Sequence, residues 1–414
     1  MRRRACLWLV LAACNHAGTA STVTAAAPSL APSSASSTSA SPVPSTSVSA
    51  KPVDPFPTEA VFVTTPPPPA RAFTDGGTVT FQPGVGLKQR RLAKRMIWGG
   101  TSADGVVSLL GFDMKGLILT AKKPDGVAFP AAHVARTVFS ADGSRVAALQ
   151  YLGALLVLDT VTGGVVHERK GALECDARFL DPGRLRLHEE SKDQKARLYD
   201  LDLATGKQTP LSGPRRVSNC SSSLDARSWL LHDEYAKDAR VVLLRVGPPP
   251  ILEALLKTDG DGAVLSPIAD RACFYDLGNV RCVRTDHGEE RVASGLTGAS
   301  LEFDDTGARM LIQGSFLDKN EEPRSILLLV DFASGTVRKL MGPTLTTGGS
   351  VHLMSGGQVV ATGSAGGVTA WDVEGKRRHA LTHPAMYTVH AVAGAPHKIA
   401  GEEDNGGDPY LLEF

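Results

Sequence analysis

Aromatic residues make up only 6% of the 414 residues, and the formal net charge is +1. A near-neutral chain gives no electrostatic case for nucleic acid, and no such partner is expected. The common catalytic signatures are missing: there is no His-Glu-x-x-His, no Gly-x-Ser-x-Gly and no Walker loop. Cys-x-x-Cys is also absent, which argues against a zinc site. No catalytic, cofactor-binding or metal-ligating residue is therefore expected, and no cofactor. The apolar run at the N-terminus, ACLWLVLAA from Ala5 to Ala13, has nine residues. That is too short to span a bilayer, which takes about 20. Turn formers are plentiful, with 42 Gly and 26 Pro, so many short elements are expected.

The first residues read as an export signal. Met1-Arg-Arg-Arg4 is a positive n-region and Ala5–Ala13 the apolar h-region. The run ends Leu11-Ala12-Ala13-Cys14, which resembles the lipobox of bacterial lipoproteins. The resemblance implies cleavage before Cys14 and acylation of that residue, with 1–14 as signal and lipobox. It also implies a cell-envelope location. Asn15 follows Cys14, and in enteric relatives an Asp there favours inner-membrane retention, so the outer membrane is expected, with the protein periplasmic or surface-exposed. Residues 15–76 are rich in Ser, Thr, Ala and Pro and bury too little apolar surface to offset their ordering entropy. They read as a disordered tether whose flexible part, residues 15 to about 58, reaches roughly 35 Å, followed by a stiffer Pro-rich stretch at 64–70.

The remainder, 77–414, repeats itself. VFSADGSRVAALQ, RFLDPGRLRLH, LEFDDTGARMLIQG and VHLMSGGQVVATG each set an apolar residue four positions before a Gly. The pairs are Phe139/Gly143, Phe179/Gly183, Phe303/Gly307 and Leu353/Gly357, and an apolar run follows each. SLDARSWLLHD from Ser223 and LSPIADRACFYD from Leu265 fit the frame less fully. A second marker is an apolar run ending in Asp, then a short turn closed by Gly. Its copies fall at Asp113, Asp159, Asp202, Asp331 and Asp372, with weaker ones at Val246 and Asp286. Asp caps such a turn by accepting amides two residues on, and Gly supplies positive φ. The spacing is about 43 residues, room for four short strands. Runs such as ALLVLD and ILLLVD are apolar throughout rather than alternating, so both sheet faces are buried.

These features resemble a WD40-like β-propeller. The best copy is VVATGSAGGVTAWDVEGK, Val359–Lys376, with Trp371-Asp372 in the family's dipeptide position. The family's Gly-His pair is missing, which points to a divergent bacterial propeller. The expected fold is all-β, a propeller of four-stranded blades, eight favoured and seven the alternative. The chain ends DPYLLEF, an eighth third strand with no fourth behind it. An N-terminal strand is expected to close the ring, with Thr78–Gln82 the candidate. The unit at 260–296 is the weakest in the count.

Outside the cytosol, Cys175, Cys220, Cys273 and Cys282 invite disulfides. ACFYDLGNVRCV reads as a hairpin turning at Leu277-Gly278, with Cys273 opposite Cys282 at a close, non-hydrogen-bonded position. A disulfide is expected there, two buried thiols being the alternative. Cys175 and Cys220 share a phase in neighbouring units, so a bridge between inner strands also fits. His133, His352 and His390 fall near first strands and read as structural. His188 and His232, with acidic neighbours Glu189, Glu190, Asp233 and Glu234, read as loops between second and third strands, a shared rim site being the sharper alternative. Glu402–Pro409 and Asp259–Gly262 have calcium-like composition without EF-hand spacing and read as polar turns. Lys88–Arg95 has five basic residues in eight and reads as a solvated strand face plus loop, contact with anionic lipid or an acidic partner being the alternative. The expected function is a monomeric, non-enzymatic scaffold that binds other envelope proteins and meets the membrane through its lipid anchor. The alternative is a propeller enzyme or small-ligand binder that uses the central channel.

Overall fold

The computed structural model describes residues 68–414, apart from 112–114, 131–133, 151–153, 171–172, 191–195, 212–218, 234–239, 247–250, 257–260, 346–349, 365, 384–385 and 404–406. The signal, Cys14 and most of the tether lie outside the described residues. Four short strands come first: β1 (Arg71–Ala72), β2 (Thr74–Thr78), β3 (Gln82–Gly86) and β4 (Lys88–Arg91). Eight antiparallel meanders follow.

Blade 1 holds β5 (Met96–Thr101), β6 (Val107–Gly111), β7 (Lys115–Thr120) and β8 (Lys123–Pro130). Blade 2 holds β9 (Val134–Phe139), β10 (Arg145–Gln150), β11 (Leu155–Asp159) and β12 (Val165–Arg169). Blade 3 holds β13 (Leu173–Asp181), β14 (Arg184–Glu190), β15 (Ala196–Asp202) and β16 (Gln208–Pro210). Blade 4 holds β17 (Asn219–Ser222), β18 (Ser228–Asp233), β19 (Arg240–Arg245) and β20 (Ile251–Leu256). Blade 5 holds β21 (Asp261–Leu265), β22 (Arg271–Asp276), β23 (Asn279–Arg284) and β24 (Glu289–Ser294). Blade 6 holds β25 (Gly298–Phe303), β26 (Arg309–Leu317), β27 (Pro323–Asp331) and β28 (Thr336–Leu345). Blade 7 holds β29 (Val351–Leu353), β30 (Val359–Ser364), β31 (Gly366–Asp372) and β32 (Arg377–His383). Blade 8 holds β33 (Met386–Ala391), β34 (Lys398–Glu403) and β35 (Pro409–Glu413), and β4 is its fourth strand.

Hydrophobic packing closes this series into a ring. In β10 and β11, Val146, Ala148, Leu156 and Leu158 pack on blade 1, while Ala147, Leu149, Leu155 and Val157 pack on blade 3. Successive side chains leave opposite sides of a sheet, so an all-apolar run is what a blade between two neighbours requires. The same arrangement recurs at all eight interfaces. The last of them joins Trp98, Leu109 and Leu119 of blade 1 to Val392, Ala400 and Leu411 of blade 8. Each buried Leu contributes about 1.5–3 kcal/mol. Eight blades are thus present, and 260–296, the doubtful unit, forms a complete one.

An N-terminal strand does close the ring, but it is β4, not Thr78–Gln82. It runs antiparallel to β35, with Lys88 opposite Glu413 and Arg91 opposite Tyr410. The sequence explains the choice. All four β4 side chains are exposed, which suits long polar residues on an outermost strand. Val79 and Phe81, by contrast, fill the cleft between blades 6 and 7. Residues 71–86 form a strap: β1, β2 and β3 add in parallel to β24, β28 and β32, the outer strands of blades 5, 6 and 7. The expected boundary at 77 therefore falls inside the strap, and strand structure begins at Arg71. Among the described residues, no helix is long and apolar enough to cross a membrane.

Candidate functional site

The Asp-to-Gly corners lie where third strands end. The Asp159 carboxylate accepts the amides of Val161 (3.0 Å) and Thr162 (2.9 Å). Asp202 accepts that of Thr205 at 2.8 Å, Asp331 that of Ser334 at 2.8 Å and Asp372 that of Gly375 at 2.9 Å. Gly163, Gly206 and Gly335 take φ of 72°, 69° and 69°, the left-handed conformation the turn needs. The side-chain hydroxyl and amide of Thr205 hold the Asp202 carboxyl below its ordinary range. Asp113 lies outside the described residues. Its Gly116 sits inside β7, and the true corner of blade 1 follows Thr120. The marker there is one strand early. In the two imperfect copies of the first marker, Ala226 and Ala269 adopt φ of 57° and 56° where other copies have Gly.

Cys273 and Cys282 are directly opposite in the β22–β23 hairpin and form a disulfide, both fully buried. Cys220 is disulfide-bonded too, while the side chain of Cys175, its expected partner, lies outside the described residues.

The innermost strands bring together what the linear sequence disperses. Asp176 on β13 is buried and accepts Arg136 Nη2 of β9 at 2.5 Å, the Ser222 hydroxyl of β17 and the Ala177 amide at 2.9 Å. Arg178 Nε, also buried, donates to Ser222 Oγ at 2.8 Å. Burial would raise the Asp176 pKa, but Arg136, Arg178 and Ser222 overcome it and hold the group at about 2. One carboxylate thereby links blades 2, 3 and 4.

A second group spans blades 6, 7, 8 and 1. Glu302 on β25 meets His352 Nδ1 at 3.2 Å and accepts the Leu353 amide at 3.2 Å. The His352 ring stacks on His390 of β33, centroids 5.8 Å apart. His390 Nε2 lies 3.5 Å from Glu402, which also accepts the Trp98 amide at 3.0 Å. Burial opposes protonation of His352, yet the Glu302 carboxylate beside it raises its pKa, while burial lowers that of His390. Two imidazoles flanked by two carboxylates have the makings of acid–base chemistry. Each carboxylate, however, already accepts an amide from the following blade. His352 and His390 were read as structural from their first-strand positions, and their grouping with Glu302 and Glu402 could not be seen in sequence because the four are spread over three units. Among the described residues, no three His, Cys, Asp or Glu are grouped to hold a metal.

His188 differs from its loop reading. It lies on β14, fully buried, its ring 6.0 Å from that of Trp229 on β18. Burial lowers its pKa to about 4 despite the nearby Asp176. Glu189 pairs with Arg169 at 2.5 Å, and the side chains of Glu190 and Asp233 lie outside the described residues. The side chain of His232 lies outside the described residues, as do His133 and Glu234. Asp408, from the calcium-like stretch, accepts Arg91 Nη1 at 3.0 Å and the Arg95 amide at 2.9 Å. The basic run therefore meets an acid of its own chain.

Exposed apolar side chains gather at the outer side of blade 2. Val161 in its corner is 58% exposed, and Val165 and Val166 on β12 are 50% and 39% exposed. Among the described residues, β12 has a partner on one edge only, β11.

No protein-family model matches the chain, and no curated protein matches it by sequence. Solved structures match by fold. The WD40 domain of SCAP from fission yeast is 8% identical, with a TM-score of 0.56 over 79% of this chain and 94% of that one. An oligogalacturonate lyase in complex with manganese is 12% identical, TM-score 0.51, over 80% of this chain and 98% of that one. The oligogalacturonate lyase of Vibrio parahaemolyticus is 11% identical, TM-score 0.51, over 81% and 97%. At these identities the likeness is one of fold alone. The chain folds as an eight-bladed β-propeller.

Proposed function

We propose that the protein is a non-enzymatic interaction scaffold of the bacterial cell envelope, anchored by acylated Cys14, and that it binds another envelope protein along the outer edge of blade 2. The valine strip carries this reading. Val161, Val165 and Val166 are exposed beside a strand edge that has no partner among the described residues, the arrangement that strand addition by a partner uses. The protein already shows that its outer strands accept such additions at blades 5, 6 and 7. The WD40 neighbour supports a recognition role, and the axial carboxylates are occupied by cross-blade amides. The test is capture of partners from detergent-solubilised envelope by wild type, by Val165→Lys/Val166→Lys, and by Leu277→Lys at an exposed hairpin tip. A partner kept by Leu277→Lys and lost by the double variant supports the proposal. The same proteins on both variants, or none on wild type, overturns it. The anchor is tested separately: labelled fatty acid should enter the wild type and not Cys14→Ala.

The His352–His390 pair favours a second reading, an axial enzyme or small-ligand site. Two fold neighbours are oligogalacturonate lyases. Turnover of oligogalacturonate with added manganese, lost in His390→Ala, would replace the scaffold reading.

A further inference from the structure

The ring closes where blade 8 meets blade 1, and two largely buried imidazoles stand at that seam. His352 on β29 and His390 on β33 are stacked, with ring centroids 5.8 Å apart. The indole of Trp98 on β5 also stacks on His390, its centroid 6.4 Å away and its plane within 15° of parallel. The row therefore runs from blade 7 through blade 8 to blade 1.

Two carboxylates serve this row in different ways. Glu302 uses both of its oxygens: Oε1 meets His352 Nδ1 at 3.2 Å, and Oε2 accepts the Leu353 amide at 3.2 Å. Glu402 uses one oxygen twice: Oε2 accepts the Trp98 amide at 3.0 Å and lies 3.5 Å from His390 Nε2. The second distance exceeds the usual N–H···O limit of about 3.2 Å. A proton on His352 is thus met by an oxygen that holds no amide. A proton on His390 instead draws the oxygen that ties blade 8 to blade 1.

The surrounding strands leave the pair to these two acids. β25 faces it with Glu302 and β34 with Glu402. Elsewhere on β34, Lys398 pairs with Glu413 at 3.0 Å and Glu403 accepts the Tyr410 hydroxyl at 2.9 Å. β5 and β30 carry no titratable side chain. Arg309 of β26 and Asp372 of β31 are engaged at corners, with Glu374 and the Gly375 amide. Burial opposes charge on either ring. At His352 the Glu302 carboxylate outweighs it and raises the pKa from the ordinary 6.5. At His390 burial prevails, aided by the like charge of His352, and the pKa is lowered. The raised group stabilises the seam below pH 6.5, and that contribution is lost as pH rises through its folded value. The lowered group stabilises it above pH 6.5, and that contribution is lost as pH falls through its folded value.

We propose that this pair is an acid-sensitive latch on the ring. With one proton, on His352, the seam between blades 8 and 1 is closed; a second proton, on His390, pulls Glu402 Oε2 from the Trp98 amide and loosens it. Leu109, Leu119 and Leu411 keep the two blades packed, so the loosening is local. The latch is independent of what the ring binds.

Amide exchange on the full chain, read residue by residue and corrected for the intrinsic effect of pH, tests this. Protection of the Trp98 amide should fall about tenfold or more between about pH 8 and pH 5, while the Leu353 amide keeps its protection. Amides of β10 check that the ring stays folded. His390→Gln abolishes the fall. His352→Gln removes the like charge and moves it to higher pH, and Glu402→Gln removes the anion and moves it to lower pH. A pair with a merely structural role would change protection equally at every pH. Level Trp98 protection in wild type overturns the proposal, as does a fall that persists in His390→Gln. Should that variant not fold, the opposite shifts in the other two decide, and an unshifted fall in both overturns it.

Discussion

Replacing Asp176 by Asn removes one charge from the inner ring and keeps the shape. The wild-type carboxyl falls from an ordinary 3.8 to about 2 on folding, so its ionised form contributes roughly 2 kcal/mol. The mutation also leaves Arg178, 8% exposed, without its anion, and breaking a buried pair from one side costs about 3–5 kcal/mol. A loss of about 3 kcal/mol is expected at pH 7. At ~2.1 cal/mol/K per residue over roughly 340 residues, this lowers Tm by about 4 °C. The sign with pH follows from the direction of the shift. A depressed carboxyl pKa gives stability that is present above the unfolded value and lost as pH falls through the folded one. The wild type should therefore approach Asp176→Asn as pH drops from 3.8 to about 2. Urea unfolding followed by Trp fluorescence at pH 7 and pH 2.5 measures both differences. A variant within about 0.5 kcal/mol of wild type at pH 7 would refute the idea that this carboxylate ties three blades together.

Further consequences follow from the same geometry. His188 is held neutral, its pKa down from 6.5 to about 4, so stability present above pH 6.5 drains as pH falls toward 4, by about 3 kcal/mol in all. His188→Leu should abolish that slope in a pH series of urea midpoints, and an unchanged slope would assign the loss elsewhere. Cys282→Ser opens a bridge with a sequence separation of 9 and should cost roughly 2–3 kcal/mol by the same unfolding assay. Gly84→Ala drives a methyl into His379, so limited proteolysis should cut near 82–86 in the variant and not in wild type.

The ring was legible because its cause is local. Runs such as Leu155–Asp159 are apolar on both sides, and corners such as Asp331–Gly335 recur at a fixed spacing. Cys273–Cys282 was legible for the same reason, since a two-residue turn fixes the register. Errors arose where tertiary demand overrode local chemistry. Thr78–Gln82 has better strand propensity than KQRR, yet Val79 and Phe81 are more valuable in a cleft, which leaves closure to Lys88–Arg91. GFDMKG mimics a corner, but Gly116 lies flat in β7 beneath Phe129. His188 stands beside two acids in sequence but points inward onto Trp229. The Glu302–His352–His390–Glu402 group joins three blades, and no periodicity places such residues side by side.

Ring closure by β4 underlies every position assigned here, and one cross-link tests it. The Leu92 amide donates to Pro409 O at 2.9 Å, which makes Arg91 and Tyr410 a closely spaced, non-hydrogen-bonded pair. Arg91→Cys/Tyr410→Cys should form a disulfide spontaneously, seen as a linked peptide by non-reducing mass spectrometry, and it should raise Tm. Free thiols at both positions in an otherwise folded protein would contradict the closure.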